Sequence, residues 1–310
     1  MKKEDILKSR RQQLEFWQRL PRGQNKKYSL RTIIAEAAFF LKQSGIEQPY
    51  KNAELILAYV LNEPVVNLYL YDNRIISAKD LRLFYRFVRE RATFIPLQYL
   101  TKRVYFYGYD FFIKKGVFIP RPETEILVEE VITLYKDYFS PRVVKILDIG
   151  TGIGNISVTL GKEIENSRLT STDVSQKALD VAVLNARLHK VDGKIMFKRC
   201  RCFPKDGEKF HIIVSNPPYI PTDDMPFLPE EVKQEPMKAL YGGRYGLDVI
   251  RNIMANSDRF LVKGGYLLLE IGQGQARLLK TLACNLKLIA IKKDLAGIER
   301  YPIFKRDDYG

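Results

Sequence analysis

Cysteine, histidine and long apolar runs are all scarce in this 310-residue chain. The cysteines Cys200, Cys202 and Cys284 are too few, and odd in number, for a disulfide framework, so a reducing, cytoplasmic setting is expected. His189 and His211 are the only histidines, and neither completes Cys200-x-Cys202 at ligand spacing, so no metal is expected. Nothing approaches the roughly 18 apolar residues of a membrane span. The start, Met1-Lys2-Lys3-Glu4-Asp5, has no apolar core of a secretory signal. Its basic character suits an organelle-targeting peptide, which Glu4, Asp5 and Glu15 oppose. Acidic residues are in deficit, 36 against 51 Lys and Arg, for a net charge of +15. That balance suits a polyanionic partner such as RNA, or equally a solvated basic surface, so charge alone assigns no function. What remains is an ordinary globular composition, long enough for two domains.

The chain reads in blocks. Residues 1–29 form a basic extension in which Leu14, Phe16, Trp17 and Leu20 could line one helical stripe. Residues 30–95 carry helical periodicity throughout. Ile33, Ile34, Ala37, Ala38 and Leu41 make one face; Leu55, Ile56, Ala58, Tyr59 and Leu61 a second; Leu81, Phe84, Tyr85 and Val88 a third. Gly45, Pro49 and Pro64 punctuate them. This predicts a small all-helical domain with nothing catalytic in it. Residues 96–125 change period, and Tyr105, Tyr107, Tyr109 and Phe111 are predicted to share one side of a linking β-hairpin. Arg121-Pro122-Glu123-Thr124-Glu125 follows. Its carboxylates either cap the next helix or, with Arg121, line a site. Residues 126–310 then alternate strand and helix. Strands are predicted over 143–149, 168–172, 195–198, 212–215, 265–271, 286–291 and 301–306, giving an α/β fold with a mostly parallel sheet. Helices are predicted over 176–189, 247–261 and 273–284.

Two strand ends carry chemistry. The first strand runs into Gly150-Thr151-Gly152-Ile153-Gly154, where glycines let backbone turn sharply beside a ligand. A dinucleotide fold would want G-x-G-x-x-G, whose last glycine would fall on Asn155, so this spacing disfavours a pyrophosphate. Asp173 ends the next strand, where a carboxylate can accept from two ribose hydroxyls. The fourth strand, Ile212-Ile213-Val214-Ser215, stops at Asn216-Pro217-Pro218-Tyr219, because consecutive prolines cannot donate to a ladder. The Asn216 side-chain oxygen and the Asn216 and Pro217 carbonyls can accept hydrogen bonds there, beside the flat face of Tyr219. The platform suits a planar group bearing an NH2, either an amide or an exocyclic base amine. In this order, turn, strand-end Asp and Asn-Pro-Pro-Tyr point to an S-adenosylmethionine-dependent methyltransferase.

On these residues the chain resembles the HemK-type protein-glutamine N5-methyltransferases, which act on the Gly-Gly-Gln glutamine of peptide chain release factors. Further carriers are Pro96-Leu97-Gln98-Tyr99, the 119–125 segment, Gln234-Glu235-Pro236, Gly242-Gly243, Glu270-Ile271-Gly272 with Gln275, and Asp294-Leu295-Ala296-Gly297. The resemblance implies a class I, Rossmann-like fold with a seven-stranded sheet and a release factor as protein substrate; a monomer is expected, although the sequence itself does not reveal the oligomeric state. It implies S-adenosylmethionine as donor and S-adenosylhomocysteine as product, with Gly150, Thr151, Gly152, Ile153, Gly154, Asp173, Cys202 and Asn216 toward the cofactor. It implies Asn216, Pro217, Pro218 and Tyr219, with Arg121 and Glu125, toward the substrate. Three positions depart from the pattern: Arg201 stands where an acid is usual, Lys102 where glycine is common, and Tyr245 where Asp is common. Glutamine methylation of a ribosomal protein and adenine-N6 methylation of nucleic acid are the alternatives.

Overall fold

The computed structural model describes residues 27–279, 282 and 285–307. The stripe expected within 14–20, and the end of the helix expected over 273–284, lie outside the described residues. The chain divides into two compact units, Met1–Thr101 and Lys102–Gly310.

In the first unit, strand β1 (Lys27–Ser29) leads into helices α1 (Leu30–Gln43), α2 (Pro49–Leu61) and α3 (Val65–Leu70). Strand β2 (Asn73–Ile75) precedes α4 (Ala78–Ala92) and α5 (Leu97–Thr101). The Ser29 and Ser77 hydroxyls accept from the backbone N–H groups of Thr32 and Asp80 and so cap α1 and α4. The predicted face of α1 is buried, Ile33, Ile34, Ala37, Ala38 and Leu41 packing with Ile56, Leu57, Phe84 and Val88. On α2 the face turns slightly from the expected one: Ala53, Ile56, Leu57 and Ala58 are buried, whereas Leu55, Tyr59 and Leu61 are partly exposed. The unit is also not purely helical. β1 and β2 pair antiparallel, with Ser29 opposite Asn73. Strands of three residues hold too few positions to show a period of two, so the sequence pattern misses them.

The second unit opens with a hairpin, β3 (Arg103–Phe106) and β4 (Tyr109–Phe112). Its two-residue turn, Tyr107-Gly108, has positive φ at both positions, 50° and 79°. Val104 pairs with Phe111 and Tyr105 with Asp110. Odd positions on one strand therefore oppose even positions on the other, and Tyr105 lies exposed while Phe111 is buried. The expected single tyrosine face is corrected: counting by two across the turn changes sides. Lys102 adopts φ 56°, a left-handed conformation that accounts for glycine being common there.

Helix α6 (Thr124–Leu134) follows, then β5 (Val144–Ile149), α7 (Asn155–Glu163), β6 (Ser167–Asp173), α8 (Gln176–Leu188), β7 (Ile195–Arg199) and β8 (Phe210–Ser215). The unit ends with α9 (Asp248–Phe260), β9 (Leu261–Leu269), α10 (Ala276–Leu279), β10 (Lys287–Lys293) and β11 (Glu299–Lys305). The seven strands β5–β11 form one sheet in the order β10-β11-β9-β8-β5-β6-β7, as expected. β7, β6, β5, β8 and β9 run parallel, and β11 and β10 add antiparallel at one edge. The central strands β5 and β8 are buried at nearly every position, which is why their sequences read as continuous apolar runs, whereas the edge strand β7 is largely exposed. Strand order reverses between β5 and β8, and open α/β sheets bind ligands outside the carboxyl ends of the strands at such a reversal. Ile149 pairs with Ser215 there, so Gly150 and Asn216 leave neighbouring strand ends side by side.

Candidate active site

The turn after β5 is fixed by backbone bonds. The N–H groups of Gly150 and Thr151 both donate to the Thr172 carbonyl, at 2.8 and 2.9 Å. Gly150, Gly152 and Gly154 take φ of 75°, 57° and 83°. A Cβ added at Gly150 or Gly152 would meet nothing within 4 Å, whereas one at Gly154 would sit 3.1 Å from the Ala182 Cβ. The first two glycines thus border open space and the third serves helix packing. Asp173 closes the turn: its carboxylate accepts from Gly152 N–H at 3.0 Å and from Ser175 N–H at 2.8 Å. Burial raises its pKa, against the pull of those backbone donors. Below the turn, Asp148 is fully buried. One oxygen accepts from the Thr151 hydroxyl at 2.6 Å and the other has no partner among the described residues. Desolvation pushes this carboxyl up to about 7.

The second strand end is stitched to the first by Ser215, whose hydroxyl donates to the Ile149 carbonyl at 2.7 Å. Asn216 follows, with its side-chain NH2 donating to the Thr124 hydroxyl at 2.9 Å. Thr124, buried at the start of α6, donates in turn to Glu270 at 2.7 Å. The Tyr219 hydroxyl reaches the other Glu270 oxygen at 3.4 Å, and burial raises the Tyr219 pKa. Glu270 is itself buried, and desolvation pushes its carboxyl up to about 7 against the pull of Thr124 and of Arg300. Gln275 staples the other side of the loop. Its amide nitrogen donates to the carbonyls of Tyr219 (2.9 Å), Tyr245 (3.2 Å) and Gly246 (3.3 Å), while its oxygen accepts from Gly272 N–H at 2.8 Å. The approach is close enough that a Cβ on Gly246 would fall 2.0 Å from the Tyr219 carbonyl oxygen.

The remaining expected residues have other partners. Arg121 forms an ion pair with buried Glu235, which also accepts from Ile119 N–H at 3.0 Å. Glu125 accepts from the Tyr107 N–H of the hairpin turn at 2.8 Å. Glu125 lies in the first turn of α6, where its charge suits the helix dipole, although no side chain makes a cap hydrogen bond there. The Cys202 side chain packs in the apolar cluster with Leu147, Phe210 and Leu269, and its carbonyl accepts from the Thr172 hydroxyl at 2.7 Å. Among the described residues no group of His, Cys, Asp and Glu could hold a metal ion.

Residues 32–101 match the PrmC N-terminal domain family, and residues 121–227 match the methyltransferase small domain family. A release factor glutamine methyltransferase of Thermodesulfovibrio yellowstonii is 35% identical over 259 residues, covering 83% of this chain and 92% of that one. Release factor glutamine methyltransferases of Chlorobaculum tepidum and Aquifex aeolicus are 34% and 36% identical, covering 89% and 84% of this chain and 97% and 93% of theirs. This chain belongs to the release factor glutamine methyltransferases. Among solved structures, the hMettl16 catalytic domain in complex with the MAT2A 3′UTR hairpin 6 superposes with a TM-score of 0.52 at 14% identity. The match covers 77% of this chain and 86% of that one, and is a likeness of fold alone.

A release factor glutamine methyltransferase takes its methyl group from S-adenosylmethionine, and the residues present fit that ligand. Open space stands over Gly150 and Gly152, a carboxylate ends β6, and an unpartnered carboxylate oxygen lies beneath the turn. The sequence pattern gives no role to Thr124, Glu270 or Gln275, although all three lie in segments that carry the family resemblance. The sequence does mark the position of Glu270. Like Asp173, it is a carboxylate at the carboxyl end of a parallel strand, the position where α/β sheets build their sites.

Proposed function

We infer that this protein transfers a methyl group from S-adenosylmethionine to the side-chain amide nitrogen of the glutamine in the Gly-Gly-Gln motif of a peptide chain release factor. The observation that carries this reading is the acceptor-only platform at the switch point. The Asn216 side-chain oxygen and the Asn216 and Pro217 carbonyls accept no hydrogen bond among the described residues, beside the open glycine turn. Prolines at 217 and 218 remove two N–H groups that would otherwise compete for the same place.

When bound, S-adenosylmethionine supplies an electrophilic methyl group on a sulfonium and departs as S-adenosylhomocysteine. Gly150 to Gly154 give it room, and Asp173 offers a carboxylate to its ribose. An amide nitrogen is a poor nucleophile because its lone pair is delocalised into the carbonyl. Asn216 Oδ1 and the Pro217 carbonyl receive its two N–H bonds, hold it in line, and face the positive charge that grows on nitrogen. Tyr219 packs on the amide plane. No side chain acts as a base, since an N-alkylated cationic amide gives its proton to water readily. Arg121, Glu235 and Glu125 brace the segment that carries Thr124. All these residues come from one chain, so a monomer suffices.

The protein is incubated with labelled S-adenosylmethionine, a release factor, its Gly-Gly-Gln→Gly-Gly-Ala variant and total RNA. Label on the intact factor alone is expected; label on RNA would favour base methylation instead. Asn216→Ala should lower kcat about 10²-fold or more, and near-normal turnover in that variant would refute the platform.

A further inference from the structure

The Asn216 side chain could present either its oxygen or its NH2 to the substrate, and only the oxygen suits an amide N–H. We propose that Thr124 and Glu270 are positioning residues that set this choice, holding the Asn216 amide with its oxygen toward the reacting nitrogen. The inference rests on the reading of Asn216 as the amide acceptor.

The polarity follows from proton counting. With Glu270 ionised, its oxygen facing Thr124 can only accept, at 2.7 Å, so the single Thr124 hydroxyl proton is committed to that bond. The Thr124 oxygen therefore has only lone pairs to offer Asn216, 2.9 Å away. Only the NH2 half of the amide can answer, and Oδ1 is turned the other way. The relay is sheltered: Thr124 is 1% exposed and Glu270 1% exposed, so water does not compete for either bond. Glu270 also receives the Tyr219 hydroxyl, at 3.4 Å, so one carboxylate orients both side chains of the platform. Arg300, held by Asp294 at 2.7 Å and by the Ile271 carbonyl at 3.3 Å, favours the ionised form of Glu270 against its burial.

The test uses the full-length enzyme, a release factor and labelled S-adenosylmethionine. Thr124→Val keeps shape and loses the hydroxyl, while Thr124→Ser keeps the hydroxyl. Glu270→Gln keeps shape but can donate to Thr124, which frees the Thr124 proton to turn toward Asn216 and lets the amide flip. The expectation is a kcat loss of about 10- to 100-fold for Thr124→Val and Glu270→Gln, with donor affinity by calorimetry unchanged. Thr124→Ser should retain most of the activity. In the Asn216→Ala background, Thr124→Val should add little, because the relay then has nothing to orient. Equal losses for Thr124→Ser and Thr124→Val, or full additivity with Asn216→Ala, would overturn the relay, as would wild-type kcat in Glu270→Gln. Wild-type kcat in Asn216→Ala would instead overturn the platform on which it rests, so the two failures are distinguishable.

Discussion

Gly152 and Gly154 share one turn but answer to different constraints. Both hold positive φ, so an alanine at either costs about 1–2 kcal/mol of backbone strain. At Gly152 the added methyl group meets only open space, whereas at Gly154 it presses on Ala182 of α8. Gly152→Ala should therefore weaken binding of S-adenosylmethionine, read by calorimetry, with a modest loss of stability. Gly154→Ala should show the larger drop in unfolding free energy, since overpacking adds a further ~1–3 kcal/mol. Equal stability losses and an unchanged donor affinity for Gly152→Ala would remove that glycine from the ligand cradle.

At the scale of elements, the loop after β8 is held from two sides, by Thr124 of α6 and by Gln275 ahead of α10. Gln275→Ala strips the bonds to three carbonyls and one N–H, and lets the Tyr219 backbone drift. Displacement of about 1 Å can cost about 10²-fold in rate, so a kcat loss of that order is expected, with the donor affinity kept. Unaltered kcat would mean the prolines alone hold the loop. The strands β5, β8 and β9 and their order of chemistry were legible because buried runs of Val, Ile and Leu end abruptly in glycine, Asn-Pro-Pro or a carboxylate. The tyrosine face of the hairpin was not, because a two-residue turn shifts the count. Nor was the short β1–β2 ribbon, whose pairing is carried by backbone. The role of Glu270 was hidden for a third reason. Thr124 lies 146 residues from Glu270 and 92 from Asn216, and no local period records such a meeting.

At the scale of the whole molecule, buried carboxylates link stability to pH. Asp148 and Glu270 titrate near 7 in the fold, against roughly 4 in an unfolded chain. The folded state therefore binds more protons between those values. The contribution of these groups to stability is full below about pH 4 and is lost as pH rises through about 7. The difference in unfolding free energy between wild type and Asp148→Asn should fall by on the order of 2–4 kcal/mol from about pH 4 to about pH 8. A flat difference, measured by denaturant titration, would show that Asp148 ionises with an ordinary pKa.

The sheet also does a kind of counting for the site. Ser215 pairs with Leu269, and Glu270 N–H donates to the Ser215 carbonyl at 2.9 Å, so Asn216 and Glu270 are each the first residue past a shared register mark. A single residue inserted late in β9 would leave the strand paired and the core nearly intact, yet carry Glu270 to the opposite face of the sheet. Thr124 would then lose its acceptor. The proposed platform is in this sense indexed to a hydrogen-bond ladder, and a length change of one residue within β8 or β9 is expected to silence the enzyme while leaving it folded.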